Sequence, residues 1–209
     1  VNDVFQGTYK PGFPNSKINM LLKKVRPRKE KKENIAVESI NFTVHNSKID
    51  ESKYEKIFQK IFSEKDKSQL KTYFTEDGYK DFQGIVTYGD AKLLSSKVNL
   101  EAGKILNDVI IRGLAMRFTF PDNQKQITDK LVFVFDENDK IKEVNFALGD
   151  IAIKNIMSKN ENWAVMEEKQ QIIRFMEIYK TAYSLKNLEF IKSIFSEDAL
   201  IIVGKKLEK

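Results

Sequence analysis

The apolar residues of this chain change their period part-way along, and that change restricts the fold more than any other feature. From Asp50 onward Tyr54, Ile57, Phe58, Ile61 and Phe62 recur at the spacing of one helix face. Between Ile110 and Leu148 the apolar positions instead fall at every second residue, the period of a half-buried strand. Helices first and strands afterwards is an α+β order, not the alternation of a parallel βαβ fold. The architecture expected is helices packed on a strongly curved, cone-like antiparallel sheet.

The elements follow from this switch. Asp50 or Ser52 is placed to cap the first helix. Leu70, Tyr73 and Phe74 predict a short helix stopping near Asp77-Gly78, and Tyr79, Phe82, Ile85 and Val86 predict another ending at Gly89. In the strand region Ile110, Leu114, Met116, Phe118 and Phe120 are expected on one face, with Arg117 and Thr119 on the other. Leu131, Phe133 and Phe135, then Val144, Phe146 and Leu148, continue the alternation across turns at Pro121–Asn123 and Asp136–Asp139. Residues 1–47 read as a β-hairpin region, the end of a truncated β domain, with strands over Ile18–Val25 and Ile35–His45. Ile40, Phe42 and Val44 share one face of the second strand. Residues 48–149 form the α+β domain and 150–163 a linker of helix and loop. In the last block, 164–209, Ile172, Phe175, Met176, Tyr179, Ala182 and Tyr183 make one helix face, and Ala199–Val203 reads as a strand.

That last block repeats an earlier one. Shifting it by 121 positions aligns Ser52–Asp77 with Ile173–Asp198 without a gap, and seven of 26 pairs are identical. They include Phe74 with Phe195, Glu76 with Glu197 and Asp77 with Asp198, while Tyr54, Phe58 and Phe62 fall on Phe175, Tyr179 and Tyr183. About two identities would arise from ordinary residue frequencies. Amphipathic helices with aromatic faces align readily, but the shared Phe-Thr/Ser-Glu-Asp ending favours a true repeat. The order of aromatic-faced helix, short helix, this four-residue ending and strands, with ALIIVG as the second copy's first strand, resembles the nuclear transport factor 2-like (SnoaL-like, ketosteroid-isomerase-like) superfamily. FMEIYKTAYSLKNLEFIKSIFSEDALIIVG looks more specifically like a Bacteroidetes-type group of bacterial proteins carrying such domains. The resemblance implies one copy over about 50–149 and the front of a second over 164–209. It implies little about function, because the superfamily hosts isomerases, cyclases, hydrolases and binding modules.

Composition narrows the chemistry. No Cys is present and His45 is the sole imidazole, so disulfides, thiolate catalysis and most metal sites drop out. No apolar run approaches the roughly 18 residues of a membrane span. The first residue is Val1, which points to a processed or shortened product whose targeting signal is missing. The net charge of +6 is concentrated: Lys23, Lys24, Arg26, Arg28, Lys29, Lys31 and Lys32 face only Glu30 and Glu33 within one run, a surplus of five. This run offers contact with phosphates or an anionic surface. It carries no interleaved aromatics for stacking on bases, so nucleic acid is not the expected partner and a solvated hairpin tip is the plainer reading.

The remaining candidates have plain readings beside the chemical ones. Glu76-Asp77 and Glu197-Asp198 can be read as acid and base pairs, or as surface residues at a helix stop. Asp136, Glu137, Asn138 and Asp139 lack the glycine and distal glutamate of a calcium loop and read as a hairpin turn. His45 has no evident Asp, Ser or Cys companion. Gly78, Gly84 and Gly89 fit no phosphate loop. Tyr54, Phe58, Phe62, Phe118, Phe133 and Phe146 either line a pocket for an apolar small molecule or form the core. The expected function is a non-catalytic ligand-binding or protein-interaction module, with no cofactor and no catalytic or metal residue assigned. A SnoaL-like isomerase or hydrolase with a buried acid and base is the first alternative, and anionic-surface binding the second. The resemblance suggests the bacterial envelope or periplasm, and a homodimer or intramolecular pseudo-dimer through the sheet.

Overall fold

A computed structural model describes residues 39–45, 49–94, 97–157, 161–164 and 166–196. The basic run, the strand expected over Ile18–Val25 and the run Ala199–Val203 lie outside them. The fold is α+β. Strands β1 (Ser39–Val44), β2 (Lys92–Leu93), β3 (Lys97–Ile105), β4 (Asp108–Thr119), β5 (Gln126–Phe135) and β6 (Ile141–Phe146) form one mixed, open sheet. Its order is β1-β3-β4-β5-β6, with β2 pairing antiparallel to the far end of β4. β1 joins the edge parallel to β3, Ile40 beside Val98 and Val44 beside Ala102, and Ile40, Phe42 and Val44 pack together on the main core as their spacing requires.

Helices cover both faces. On the inner face α1 (Glu51–Ser63) buries Tyr54, Ile57, Phe58 and Ile61, while Phe62 is half-buried. Asp50 occupies its N-cap position, but the carboxylate is spent on Ser52 Oγ at 2.8 Å. At the other end Lys67 Nζ donates to the carbonyls of Ile61, at 2.9 Å, and Glu64, satisfying groups the helix leaves open. A 3-10 helix (Lys67–Tyr73) and α2 (Glu76–Val86) complete this layer.

Asp77-Gly78 does not stop a helix, as its composition suggests, but lies in the first turn of α2. Thr75 is the N-cap, and its hydroxyl accepts from Gly78 N at 3.1 Å. Glu76 and Asp77 sit where the helix dipole favours carboxylates, so acidic residues mark a start here. Gly78 is required for packing: a Cβ there would run into the carbonyl of Ile141 on β6.

A second correction concerns β4. The pairing with β5 shifts between Arg112 and Leu114, and Gly113 in between takes φ +110°. This bulge reverses the alternation. Ile111, Leu114, Met116 and Phe118 enter the inner core, whereas Ile110 joins the outer cluster with Val132, Val134, Ala147, Trp163 and Ile173.

The outer cluster is covered by α3 (Asp150–Ile156) and the 18-residue α4 (Glu167–Ser184), with α5 (Leu188–Ser193) following. The side of α4 that meets the sheet is not its apolar stripe. Gln170, Ile173, Glu177, Thr181 and Ala182 are buried, while Ile172, Phe175, Met176 and Tyr183 are exposed. Polar clamps set this orientation. Thr181 Oγ1 accepts from Phe146 N at 2.8 Å and Glu177 Oε1 from Leu148 N at 2.9 Å, capping donors along the free edge of β6. Lys180 Nζ reaches Asp129 and the Ala147 carbonyl, and Arg174 pairs with Glu143.

Candidate functional site

Three places warrant a chemical reading: the space between α1 and the sheet, the polar network on the outer face, and the outward side of α4. In the first, the sequence-predicted aromatic set comes together. The Phe58 and Phe133 rings meet edge-to-face at 5.0 Å between centroids, and Phe118 and Phe146 at 5.5 Å. Phe58, Phe118, Phe133 and Phe146 are all buried, with Tyr88 against the last pair and Phe62 beside Phe58. Tyr54 stacks edge-on to Phe135 at 4.9 Å. Its hydroxyl donates to Asp139 at 2.9 Å, and burial followed by that carboxylate pushes the phenol well above its ordinary range. Burial pulls Asp139 upward, but hydrogen bonds from Lys53 and Tyr54 outweigh it and hold the carboxyl low. Asp139 is therefore a structural anchor between α1 and the hairpin turn, whose Asp136 carboxylate accepts from Asn138 N and Lys140 N, each at 2.9 Å. Among the described residues, no group of three or more His, Asp or Glu is placed to hold a metal ion.

The outer network was not legible in the sequence. Arg112 leaves β4 beside the bulge and makes a bidentate pair with Glu177 of α4, at 2.6 and 2.7 Å, with both side chains almost fully buried. Loss of water drives the Glu177 carboxyl up, against the pull of Arg112 and the Leu148 N–H. The Arg112 guanidinium lies 5.0 Å from the Trp163 ring centre, and Trp163 Nε1 donates to Glu101 at 3.1 Å. Glu101 also meets His45 Nε2 at 3.2 Å, while His45 Nδ1 lies 3.2 Å from Asn162 Nδ2. His45 thus has a carboxylate companion after all, from a strand 56 positions away. The Asn162 amide oxygen accepts from Ala164 N, which leaves its donor nitrogen facing Nδ1; in that arrangement Nδ1 accepts and Nε2 donates to Glu101.

Two hollows flank this network, of about 230 and 160 Å³, sharing Gly113 and Lys130. The smaller is walled by Arg112, Trp163, Glu101, Asp150 and Lys154. Most of the charge around it is paired internally, although Arg112 Nε is buried without a hydrogen-bond partner among the described residues. Arg112 is neutralised by Glu177, Lys130 stands 3.7 Å from Asp150, and both ring nitrogens of His45 are met. Neither hollow has a Ser, Thr or Tyr hydroxyl in its lining, and the ionisable groups of the smaller one are Glu101, Arg112, Lys130, Asp150 and Lys154.

The outward side of α4 is different in kind. Ile172 is 51% exposed, Phe175 47%, Met176 39% and Tyr183 68%, and Met166, Leu188 and Phe195 are exposed as well. The Tyr179 and Tyr183 rings lie 6.4 Å apart with their planes inclined by 29°. Phe175, Tyr179 and Tyr183 lie 121 positions after Tyr54, Phe58 and Phe62, whose rings face the sheet. Such a strip at helical spacing marks a binding surface more often than an ordinary exterior. The basic residues from Lys23 to Lys32 fall outside the described residues. No helix among the described residues is long and apolar enough to cross a membrane. No protein-family profile, curated protein or solved structure matches the chain.

Proposed function

We propose that the protein is a non-catalytic protein-interaction module of the nuclear transport factor 2-like kind, with a cone-like sheet and the front of a second copy laid across its outer side. The outward apolar strip on α4 carries this reading, since a helix that turns Ile172, Phe175, Met176 and Tyr183 to water leaves burial energy unused. The interior supports it from the other side. An isomerase or hydrolase of this superfamily would need an acid and a base inside the sheet. Here Phe58, Phe118, Phe133 and Phe146 pack that space, and the Tyr54 hydroxyl is held by Asp139.

Carbene labelling of dilute protein with a small apolar diazirine, read by peptide mass spectrometry, tests the reading. Label is expected on peptides from Met166 to Phe195 and not on Leu131–Phe135. Label entering between α1 and the sheet would reveal an accessible pocket and overturn it.

A further inference from the structure

We infer that the partner for the α4 strip is a second copy of the same strip, packed antiparallel about a two-fold axis; this rests on the interaction reading above. The strip reads nearly the same in both directions. A two-fold centred between Glu177 and Ile178 places Ile172 opposite Tyr183 and Met176 opposite Tyr179, so each thioether or aliphatic chain meets a ring.

Charge selects this direction. Glu167 and Glu168 open the helix, and Lys186 stands just past its end. Glu168 and Lys186 are exposed, stand at opposite ends of the helix, and have no side-chain ion pair among the described residues. Antiparallel packing puts Glu168 of each copy beside Lys186 of the other and opposes the two helix dipoles; parallel packing would stack Glu168 on Glu168. An isologous contact of this kind closes on itself and stops at a dimer. The residues that fix α4 to its own sheet, Glu177, Lys180 and Thr181, point away from this surface and need not move.

The chain has no cysteine, so engineered thiols are unambiguous. Mixing Ile172→Cys with Tyr183→Cys under mild oxidation should give a mixed disulfide dimer, while Ile172→Cys alone should give little. Sedimentation equilibrium of the unmodified chain should show a reversible monomer–dimer equilibrium, weakened by added salt and lost in Phe175→Glu. Glu168→Lys should weaken it about tenfold, and adding Lys186→Glu to that variant should restore it. Circular dichroism of each variant separates lost association from lost folding.

A chain that stays monomeric at every concentration overturns the inference, as does a preferred Ile172→Cys self-crosslink. So does a monomer whose strip is protected from labelling, which would mean that residues 197–209 cover it instead. Label reaching the sheet interior would sink the interaction reading while leaving the dimer measurements to stand or fall separately.

Discussion

At the scale of single residues, the pair of Arg112 and Glu177 is the strongest polar commitment among the described residues. A buried ion pair gains little over apolar packing, yet removing one partner strands the other charge away from water. Glu177→Gln is therefore expected to cost about 3 kcal/mol in urea unfolding. Replacing both residues, Arg112→Met with Glu177→Leu, should recover most of that loss, as a double-mutant cycle would register. Asp81 on α2 supplies a pH dependence. Loss of water raises its carboxyl to about 6 from an ordinary 3.8, helped by Glu143 and Asp77 and opposed by a hydrogen bond from the Val144 backbone. The folded chain then holds a proton that the unfolded chain releases. The stabilisation is complete below about pH 4 and is lost as pH rises through about 6. Asp81 keeps an exposed surface, so water screens part of the effect. Melting temperatures of the parent and Asp81→Asn between pH 4 and 7 should show a shallower decline in the variant. One trace of the Arg112 pair does stand in the sequence: a single charge inside the apolar run Val109–Met116, followed by glycine. Its partner lies 65 positions on, and no local pattern names it.

At the scale of elements, the bulge in β4 decides what faces where. Gly113 at φ +110° would bring an added Cβ within 2.7 Å of the Asn99 carbonyl, a rigid backbone atom. Gly113→Ala therefore meets both strain and a clash and is expected to cost about 2 to 3 kcal/mol by denaturant titration. The two aromatic helices give a sharper contrast. Phe133→Ala opens a hole under α1 and should cost about 3 to 5 kcal/mol, whereas Phe175→Ala on the outward side of α4 should cost under about 1 kcal/mol in dilute protein. Equal losses would mean that the α4 strip is covered even in the monomer. The face of α1 was legible because nothing competed for it; its apolar stripe was the only side able to meet the sheet. On α4 the apolar stripe stays outside, and another side of the helix meets the sheet. Thr181, Glu177, Lys180 and Arg174 had unpaired strand donors and opposite charges waiting along β5 and β6, and those bonds outweighed burying Phe175 and Tyr183.

At the scale of the molecule, one sheet has two apolar faces and needs both helical layers. A chain ending at Asn162 would uncover Ile110, Val132, Val134 and Ala147 and leave Arg112 without its carboxylate. It is expected to bind apolar dyes and unfold at a markedly lower temperature than the full chain, whereas an independent second copy would leave the first intact. The sequence by itself determined the α+β class, the existence of α1 and the strands β4 to β6, and the apolar set beneath α1. Those follow from the period of side chains along a helix or strand, which is a local property. Tertiary structure alone decided the parity of β4, the side of α4 that meets the sheet, and the companions of His45 and Arg112. Each depends on a bulge or a partner tens of residues away, which no local pattern of side chains can specify.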